Sequence, residues 1–151
     1  RGGFYALSEP AAAEIYTLPR HAALPLSRVF NFTLKRVPPR IEGILTCSDT
    51  RAEDVDCLVL HQPNNYILKN LQRRLGVDDS KLPTGTQSVY GNQNSASIPG
   101  TISGFLAEAY AGRGVRSLLA GFGVGLSWGA CTIPTDRIYA PPVMTSADTT
   151  R

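Results

Sequence analysis

Residues 55–64 read VDCLVLHQPN, a short apolar run that stops abruptly at a polar segment containing a histidine. A run of this length and composition predicts a buried strand, of the kind found in parallel sheets covered on both faces. His61 follows the predicted strand directly, at its carboxyl end. Because α/β sheets place their sites beyond the carboxyl ends of strands, this stretch predicts both a fold class and the location of a site.

Two segments after His61 carry apolar residues at helical spacing. The first contains Ile67, Leu68, Leu71 and Leu75, with Gly76 placed to end the helix. The second contains Ile98, Ile102, Phe105, Leu106 and Ala109. A polar segment, YGNQNSAS at 90–97, precedes the second helix and is a further candidate for a site.

Two more strands are predicted at 115–120 and 126–133, joined by a tight glycine turn, GFGVG, at 121–125. Upstream, VFNFTLKRV at 29–37 alternates as a strand does, and a short helical piece is expected near 41–45. The alternation of strands and helices predicts an α/β layered fold with a mixed sheet. We divide the chain into an irregular leader (1–28), a core domain (29–133) and a surface tail (134–151).

The composition is that of an ordinary globular protein, with 42% hydrophobic and 18% charged residues in 151. No apolar run approaches the length of a membrane span, and no secretory signal opens the chain, so we expect no membrane association. A net charge of +3 without a dense basic stripe argues against a nucleic-acid partner. Three well-separated cysteines give no zinc spacing and indicate reduced thiols in a cytoplasmic protein, with no metal or redox cofactor.

Three features could carry chemistry, and each also has a structural interpretation. A neutral imidazole at His61 can donate a hydrogen bond to a carbonyl oxygen, or can simply be satisfied at a strand end. Asn92 can donate to an oxyanion, or can stabilise a turn. The glycine turn can aim backbone N–H groups at negative charge, or can merely join two strands. His21, the other histidine, has only the structural interpretation.

The order and spacing of three motifs resemble the carboxy-terminal half of the β-ketoacyl-acyl-carrier-protein synthase III family. The motifs are HQPN at 61–64, YGNQNSASIP at 90–99 and GFGVGLSWGA at 121–130. The family pattern is HQxN, then GN followed by small residues and S-[IV]-P, then GFGxG with an aromatic residue soon after. The match runs from about Val29 to Thr132.

The resemblance implies the five-layered αβαβα thiolase fold, of which this chain would supply the second half. In the family a cysteine takes an acyl group from acyl-CoA, and a histidine and an asparagine bind the thioester carbonyl of malonyl-acyl-carrier protein. These two roles fall on His61 and Asn92, which would stabilise the enolate as carbon dioxide leaves. Acyl-CoA and malonyl-acyl-carrier protein are then substrates, and no cofactor is implied.

The remaining roles follow from the same resemblance. The N–H of Gly123 would belong to the oxyanion hole, and Phe122, Gln62 and Asn64 would contact substrate. The implied docking residues for the acidic carrier protein are Arg73 and Arg74, which could equally form a solvated helix face. The family also implies a dimer, here a homodimer or a heteromer.

Several positions depart from the family pattern and indicate a divergent subgroup. Pro63 replaces the usual alanine, Tyr66 a family arginine, Gln93-Asn94 the usual Thr-Ser, and residues 23–27 a segment of small residues.

The largest departure is the family's nucleophilic cysteine, whose position is matched by none of the three cysteines. Cys57 lies within the predicted buried strand, where its pKa would be raised and the thiol inert. Because the chain begins with Arg1 and not Met, we expect a piece of a longer polypeptide, or a chain that works beside a cysteine-bearing partner. Alone, it should form no acyl-enzyme and should associate or dissolve poorly. A non-catalytic scaffold subunit and an O- or N-acyltransferase of the same fold remain alternatives.

Overall fold

A single mixed sheet of four strands organises the chain, which we describe from a computed structural model covering residues 5–10, 26–112, 114–123, 126–135 and 139–144. The strands are β1 (Tyr5–Pro10), β2 (Cys57–Leu60), β3 (Val115–Gly123) and β4 (Ser127–Thr135). Their order is β1-β4-β3-β2, with β2 parallel to β3 and the other pairs antiparallel. The predicted α/β fold with a mixed sheet is confirmed.

Helices cover the sheet on both sides. They are α1 (Leu26–Cys47), α2 (Asn65–Leu75), α3 (Gly85–Tyr90), α4 (Ser97–Thr101) and α5 (Ala107–Gly112). A π-helical segment, Ile102–Leu106, joins α4 to α5, so the predicted helix over 98–109 is confirmed with a local widening. As predicted, Gly76 ends α2, with a left-handed φ of 62°. Within the described ranges no helix is long and apolar enough to cross a membrane.

The core has two layers because successive residues of a strand point to opposite faces of the sheet. One face packs against α1 and α2; its main residues are Leu58, Leu60, Leu118, Ala120 and Phe122 from the strands and Val37, Ile41, Ile44, Leu68 and Leu71 from the helices. The other face packs against α4, the π-helical segment and α5; its main residues are Cys57, Val59, Val115, Leu119, Ile98, Ile102, Leu106 and Tyr110. All four residues of β2 are buried, as its apolar run predicts.

The prediction of a strand at 29–37 is wrong, because these residues lie inside the 22-residue helix α1. Phe30, Val37, Ile41 and Ile44 recur at helical spacing and face the core. Over the predicted segment alone, apolar residues at every second position imitate a strand. The expected helical piece at 41–45 is part of the same helix.

The leader and the glycine turn also differ from expectation. Residues 5–10 form β1, which pairs with β4 in the register Tyr5↔Thr132, so the leader is not uniformly irregular. Residues 11–25 lie outside the described part of the chain. Strand β3 continues through Gly123, which shortens the predicted turn at its start. Of the predicted surface tail, Thr135 ends β4, and Tyr139 is 86% exposed. The division into leader, domain and tail stays a prediction.

Candidate active site

His61 is held by contacts with strand β3 and with helix α4. Its backbone N–H donates to the carbonyl oxygen of Ala120 at 2.9 Å, the bond that completes the last pair, Leu60↔Ala120, of β2 with β3. Its Nδ1 lies 3.1 Å from the hydroxyl oxygen of Ser97, at the start of α4. The imidazole meets the ring of Phe122 edge to face, with 5.4 Å between ring centroids. Contacts from two elements, β3 and α4, thus hold the half-buried histidine in place.

Burial keeps His61 neutral. The loss of solvent around the imidazole lowers the pKa of His61 from its ordinary value of 6.5. A hydrogen bond with the backbone of Asn94 raises this pKa, but by less. A neutral imidazole at neutral pH can donate from one nitrogen and accept at the other. The ring can therefore stabilise an oxyanion without the cost of burying a charge.

Asn92 presents an amide whose orientation is set by the backbone. Its Oδ1 accepts the backbone N–H of Asn94 at 2.9 Å. Because a backbone N–H can only donate, the accepting atom must be the amide oxygen, which leaves the Nδ2 group as a donor. Left-handed backbone at Gly91 (φ 73°) and at Asn94 (φ 51°) shapes the turn around it.

His61 and Asn92 line the same open cavity, of about 1140 Å³. The cavity is lined by Ser27, Val29, Phe30, Thr33, His61, Pro63, Asn64, Tyr66, Ile67, Asn92, Asn94, Ser95, Ile98, Gly121, Phe122, Gly123, Ser127, Trp128 and Gly129. Five predicted site residues, the pair above with Asn64, Phe122 and Gly123, are thus brought together. Among the described lining residues there is no Asp, Glu, Lys, Arg or Cys, so this chain gives the cavity a largely neutral wall.

Gly123 ends β3 at the rim of the cavity. It pairs with Ser127 across the β3–β4 connection, and its carbonyl oxygen accepts the N–H of Leu126 at 3.2 Å. A Cβ added at Gly123 would meet no heavy atom within 4 Å. The backbone is therefore open to close approach, while a role for its N–H as an oxyanion donor stays a prediction.

Gln62 and Asn64 differ in their relation to the cavity. Gln62 is fully buried and does not line it; its amide bonds to the carbonyl of Pro83 at 2.6 Å and to the N–H of Gln87 at 3.2 Å. Asn64 lines the cavity and also caps α2, since its Oδ1 accepts the N–H of Ile67 at 2.9 Å. The geometry gives no support to substrate contact by Gln62, and substrate contact by Asn64 stays a prediction.

The two predicted docking arginines lie on α2 but face different surroundings. Arg74 Nη1 donates to the backbone carbonyl of Leu34 in α1, at 3.0 Å. Arg73 is exposed and lines a smaller cavity of about 330 Å³ at the end of α2, together with Lys69 and Asp79. Arg73 is thus the better placed of the two for an external partner.

The sequence did not predict one wall of the larger cavity. Helix α1 contributes four lining residues, including Phe30 and Thr33, and Phe30 stacks on Tyr66 with 5.2 Å between ring centroids. The Thr33 hydroxyl is buried without a hydrogen-bond partner among the described residues. Helical spacing of Phe30, Val37 and Ile41 was the signal that could have located this wall. Ser97, which contacts His61, could not be singled out from its run of small residues.

The cysteines are placed away from the cavity. Burial, with a smaller contribution from the charge of Asp56, raises the pKa of Cys57 to about 11, as the sequence predicted for an inert thiol. Burial also raises the pKa of Cys131, in β4. Cys47 is exposed at the end of α1.

The architecture places this chain in the thiolase-like fold class. Crystal structures of 3-oxoacyl-(acyl-carrier-protein) synthases superpose well on it. The enzyme from Burkholderia xenovorans LB400 gives a TM-score of 0.79 at 23% identity, over 94% of this chain and 46% of that one. The synthase III from Pseudomonas aeruginosa PAO1 gives 0.71 at 24% identity, over 89% and 44%.

Residues 45–134 match the family described as 3-oxoacyl-[acyl-carrier-protein (ACP)] synthase III, C terminal. The β-ketoacyl-[acyl-carrier-protein] synthase III of Acaryochloris marina is 36% identical over 109 residues, 72% of this chain and 32% of that protein. The Lactococcus lactis subsp. cremoris enzyme is 38% identical over 112 residues, 70% and 33%. The chain belongs to the 3-oxoacyl-[acyl-carrier-protein] synthase III family, and it spans about a third of the length of these relatives.

Proposed function

We propose that this chain is the carboxy-terminal half of a synthase III-type enzyme, which condenses an acyl thioester with malonyl-acyl-carrier protein and releases carbon dioxide. One observation carries the proposal: His61 and Asn92, from two separate motifs, line a single cavity with Phe122 and Gly123. The family relationship supports the same assignment.

In the proposed reaction, His61 and Asn92 donate hydrogen bonds to the thioester carbonyl oxygen of the malonyl group. The carbon–carbon bond to the carboxylate breaks, carbon dioxide leaves, and the bonding pair forms an enolate whose oxygen these donors stabilise. The enolate carbon attacks the carbonyl carbon of an acyl-cysteine, and the cysteine thiolate leaves as the β-ketoacyl product forms. Neutral donors suit the step, because neither brings a charge that must be desolvated.

The Ser97 contact suits the donor role of His61. In the proposed tautomer the Ser97 hydroxyl donates a hydrogen bond to Nδ1, the ring proton is on Nε2, and Nε2 is the donor to the enolate oxygen. The backbone N–H of Gly123 would stabilise the second oxyanion, on the acyl-cysteine carbonyl.

The proposal requires a cysteine that these 151 residues do not supply. Cys57 is buried with a pKa of about 11, and no cysteine is among the described residues that line the cavity. The nucleophile must then come from a cysteine-bearing amino-terminal half, either in the same polypeptide or in a partner subunit. The chain without that half is expected to be inactive.

An acyl carrier protein is the proposed macromolecular partner. Arg73 and Lys69 are exposed on α2, the helix that begins beside His61, and their charge suits an acidic protein. In the active assembly, Arg73→Glu should raise the KM for malonyl-acyl-carrier protein while leaving the KM for malonyl-CoA unchanged. An equal change in both constants would remove Arg73 from the docking surface.

The test of the proposed function is condensation by this chain joined to its cysteine-bearing half, in one polypeptide or as a complex. Product and carbon dioxide would be measured with acyl-CoA and malonyl-acyl-carrier protein. His61→Ala and Asn92→Ala should each lower kcat by roughly 100-fold or more. Asn70→Ala, which removes an exposed hydrogen bond to the backbone carbonyl of Tyr66 in α2, serves as the control.

The outcomes separate the hypotheses. Loss of condensation in the two site variants alone supports the proposal. Wild-type turnover in the His61→Ala assembly would overturn it. Assembly without condensation in any form would instead favour a scaffold subunit.

A further inference from the structure

We propose that Gln62 is a positioning residue of the active site, which holds Asn92 at a fixed place relative to His61 by capping helix α3 from outside that helix. The inference rests on the proposed function, because it assigns a role within the same site. It also replaces substrate contact as the role of Gln62.

The first step concerns the start of α3. The first N–H groups of a helix have no partner inside it and are usually satisfied by the side chain of the capping residue. Thr84, the capping residue of α3, makes no such bond. Gln62 Oε1 instead accepts the N–H of Gln87, and Gln62 Nε2 donates to the carbonyl of Pro83, just before the helix. One buried amide therefore satisfies a donor and an acceptor at the same helix end.

The second step traces α3 to Asn92. The carbonyl of Gln87, whose N–H is held by Gln62, accepts the N–H of Gly91 at 2.9 Å. Gly91 then turns the chain with φ 73°, and Asn92 follows directly. On the other side of Gln62, the backbone of His61 is fixed to Ala120. The two proposed donors are thus connected through the Gln62 side chain and a single turn of helix.

A second contact holds α3 through the side chain of Thr86. The buried hydroxyls of Thr86 and Thr101 lie 2.8 Å apart, and Thr101 donates to the carbonyl of Ser97 at 2.7 Å. Since the Thr101 proton is committed to Ser97, Thr86 is the donor between the two hydroxyls. Ser97 in turn contacts His61. Helix α3 is clamped between two elements that both touch the histidine.

The kinetic test compares Gln62→Met with Gln87→Met in the assembled enzyme. Methionine keeps the length of the Gln62 side chain but removes both hydrogen bonds, whereas Gln87 contributes its backbone and not its side chain to the contact. We expect Gln62→Met to lower kcat by roughly 10- to 100-fold with little change in KM, as for a misplaced catalytic group. Gln87→Met should match the wild type. An effect on KM alone would overturn the inference.

A double-mutant cycle separates positioning from general damage. If Gln62 acts through Asn92, Gln62→Met should cost less than about threefold in kcat once Asn92 is already alanine. An undiminished loss in the Asn92→Ala background would show that Gln62 does not act through Asn92.

Gln62→Glu adds a pH dependence to the kinetic test. Its carboxylate keeps an acceptor for Gln87 but opposes the carbonyl of Pro83, and burial should raise the pKa of the new carboxyl. Once protonated, the carboxyl can donate to Pro83 again. The activity of this variant relative to wild type should therefore rise as pH falls, and a ratio independent of pH would count against the inference.

Amide hydrogen exchange on the substrate-free assembly keeps this inference separate from the proposed function. Gln62→Met should speed exchange at Gln87 and Gly91, with Gln87→Met unchanged, whether or not the assembly condenses substrates. Thr86→Val, which removes the Thr86–Thr101 contact, should speed exchange at the same amides. Unchanged exchange in Gln62→Met would overturn the inference even if condensation is confirmed.

Discussion

Arg74 donates from Nη1 to the carbonyl oxygen of Leu34 at 3.0 Å. In a regular helix this carbonyl would accept the N–H of residue 38, but that residue is Pro38, which has no N–H. Proline inside a helix leaves the carbonyl four residues earlier without its partner. A side chain from α2 thus supplies the hydrogen bond that Pro38 removes from α1. The contact joins the two helices that cover the same face of the sheet.

Arg74→Met should destabilise the protein, because the Leu34 carbonyl loses its donor. We expect a fall of about 1 kcal/mol in the free energy of unfolding, less than is usual for a charged donor because the guanidinium is solvent-exposed. Arg73→Met, one position earlier and without this bond, should change it by less than about 0.5 kcal/mol. Urea denaturation of both variants checks the contrast, and equal losses would contradict this role of Arg74.

The sequence correctly predicts those elements whose secondary structure follows from their own local residue pattern. β2 is an uninterrupted apolar run, and α2 has regular apolar spacing ended by Gly76. β1 was missed because its strand structure depends on pairing with β4, more than 100 residues away, and not on its own composition. In α1, apolar residues at every second position of 29–37 predicted a strand, whereas packing against the sheet stabilises a helix that contains both Pro38 and Pro39.

The candidate site shows the same division. His61 and Asn92 could be selected because each follows a predicted element and stands in a recognisable motif. The hydrogen bonds of the Gln62 side chain could not be predicted from the motif, because its partners Pro83 and Gln87 lie 21 and 25 residues away. Such contacts are created by the fold, and residue type alone does not encode them.

The cysteines should differ sharply in reactivity. Burial raises the pKa of Cys57 to about 11, so about one molecule in ten thousand carries that thiolate at pH 7. Cys47 is exposed. Iodoacetamide should therefore modify Cys47 in the native protein and Cys57 only after denaturation, as followed by mass spectrometry of peptides. Cys57→Ala should leave condensation by the full assembly intact, and loss of acyl transfer with the fold preserved would make Cys57 the nucleophile.

Burial of His61 should extend activity toward acid pH. Because desolvation lowers the pKa of His61 below 6.5 in the folded state, the neutral donor persists below the pH at which an exposed histidine is half protonated. The imidazole of His61 binds a proton more readily in the unfolded chain than in the folded one. Its contribution to the free energy of unfolding is therefore complete above pH 6.5 and is lost as pH falls through the pKa of the folded state. An NMR titration, with His61→Gln to assign the signal, gives that pKa; a value above 6.5 would contradict the prediction.

Of the two variants Asn92→Asp and Asn92→Ala, we expect aspartate to be the more stable and alanine the more active. Aspartate keeps an oxygen for the N–H of Asn94, so it should preserve the turn, whereas alanine removes that acceptor. Aspartate also replaces the amide donor by a negative charge beside the developing enolate, so its loss of condensation should exceed that of alanine, which we place at roughly 100-fold. Thermal denaturation should rank aspartate above alanine, and condensation kinetics should rank alanine above aspartate. If aspartate proves the more active variant, Asn92 serves the reaction through the turn and not as a donor to substrate.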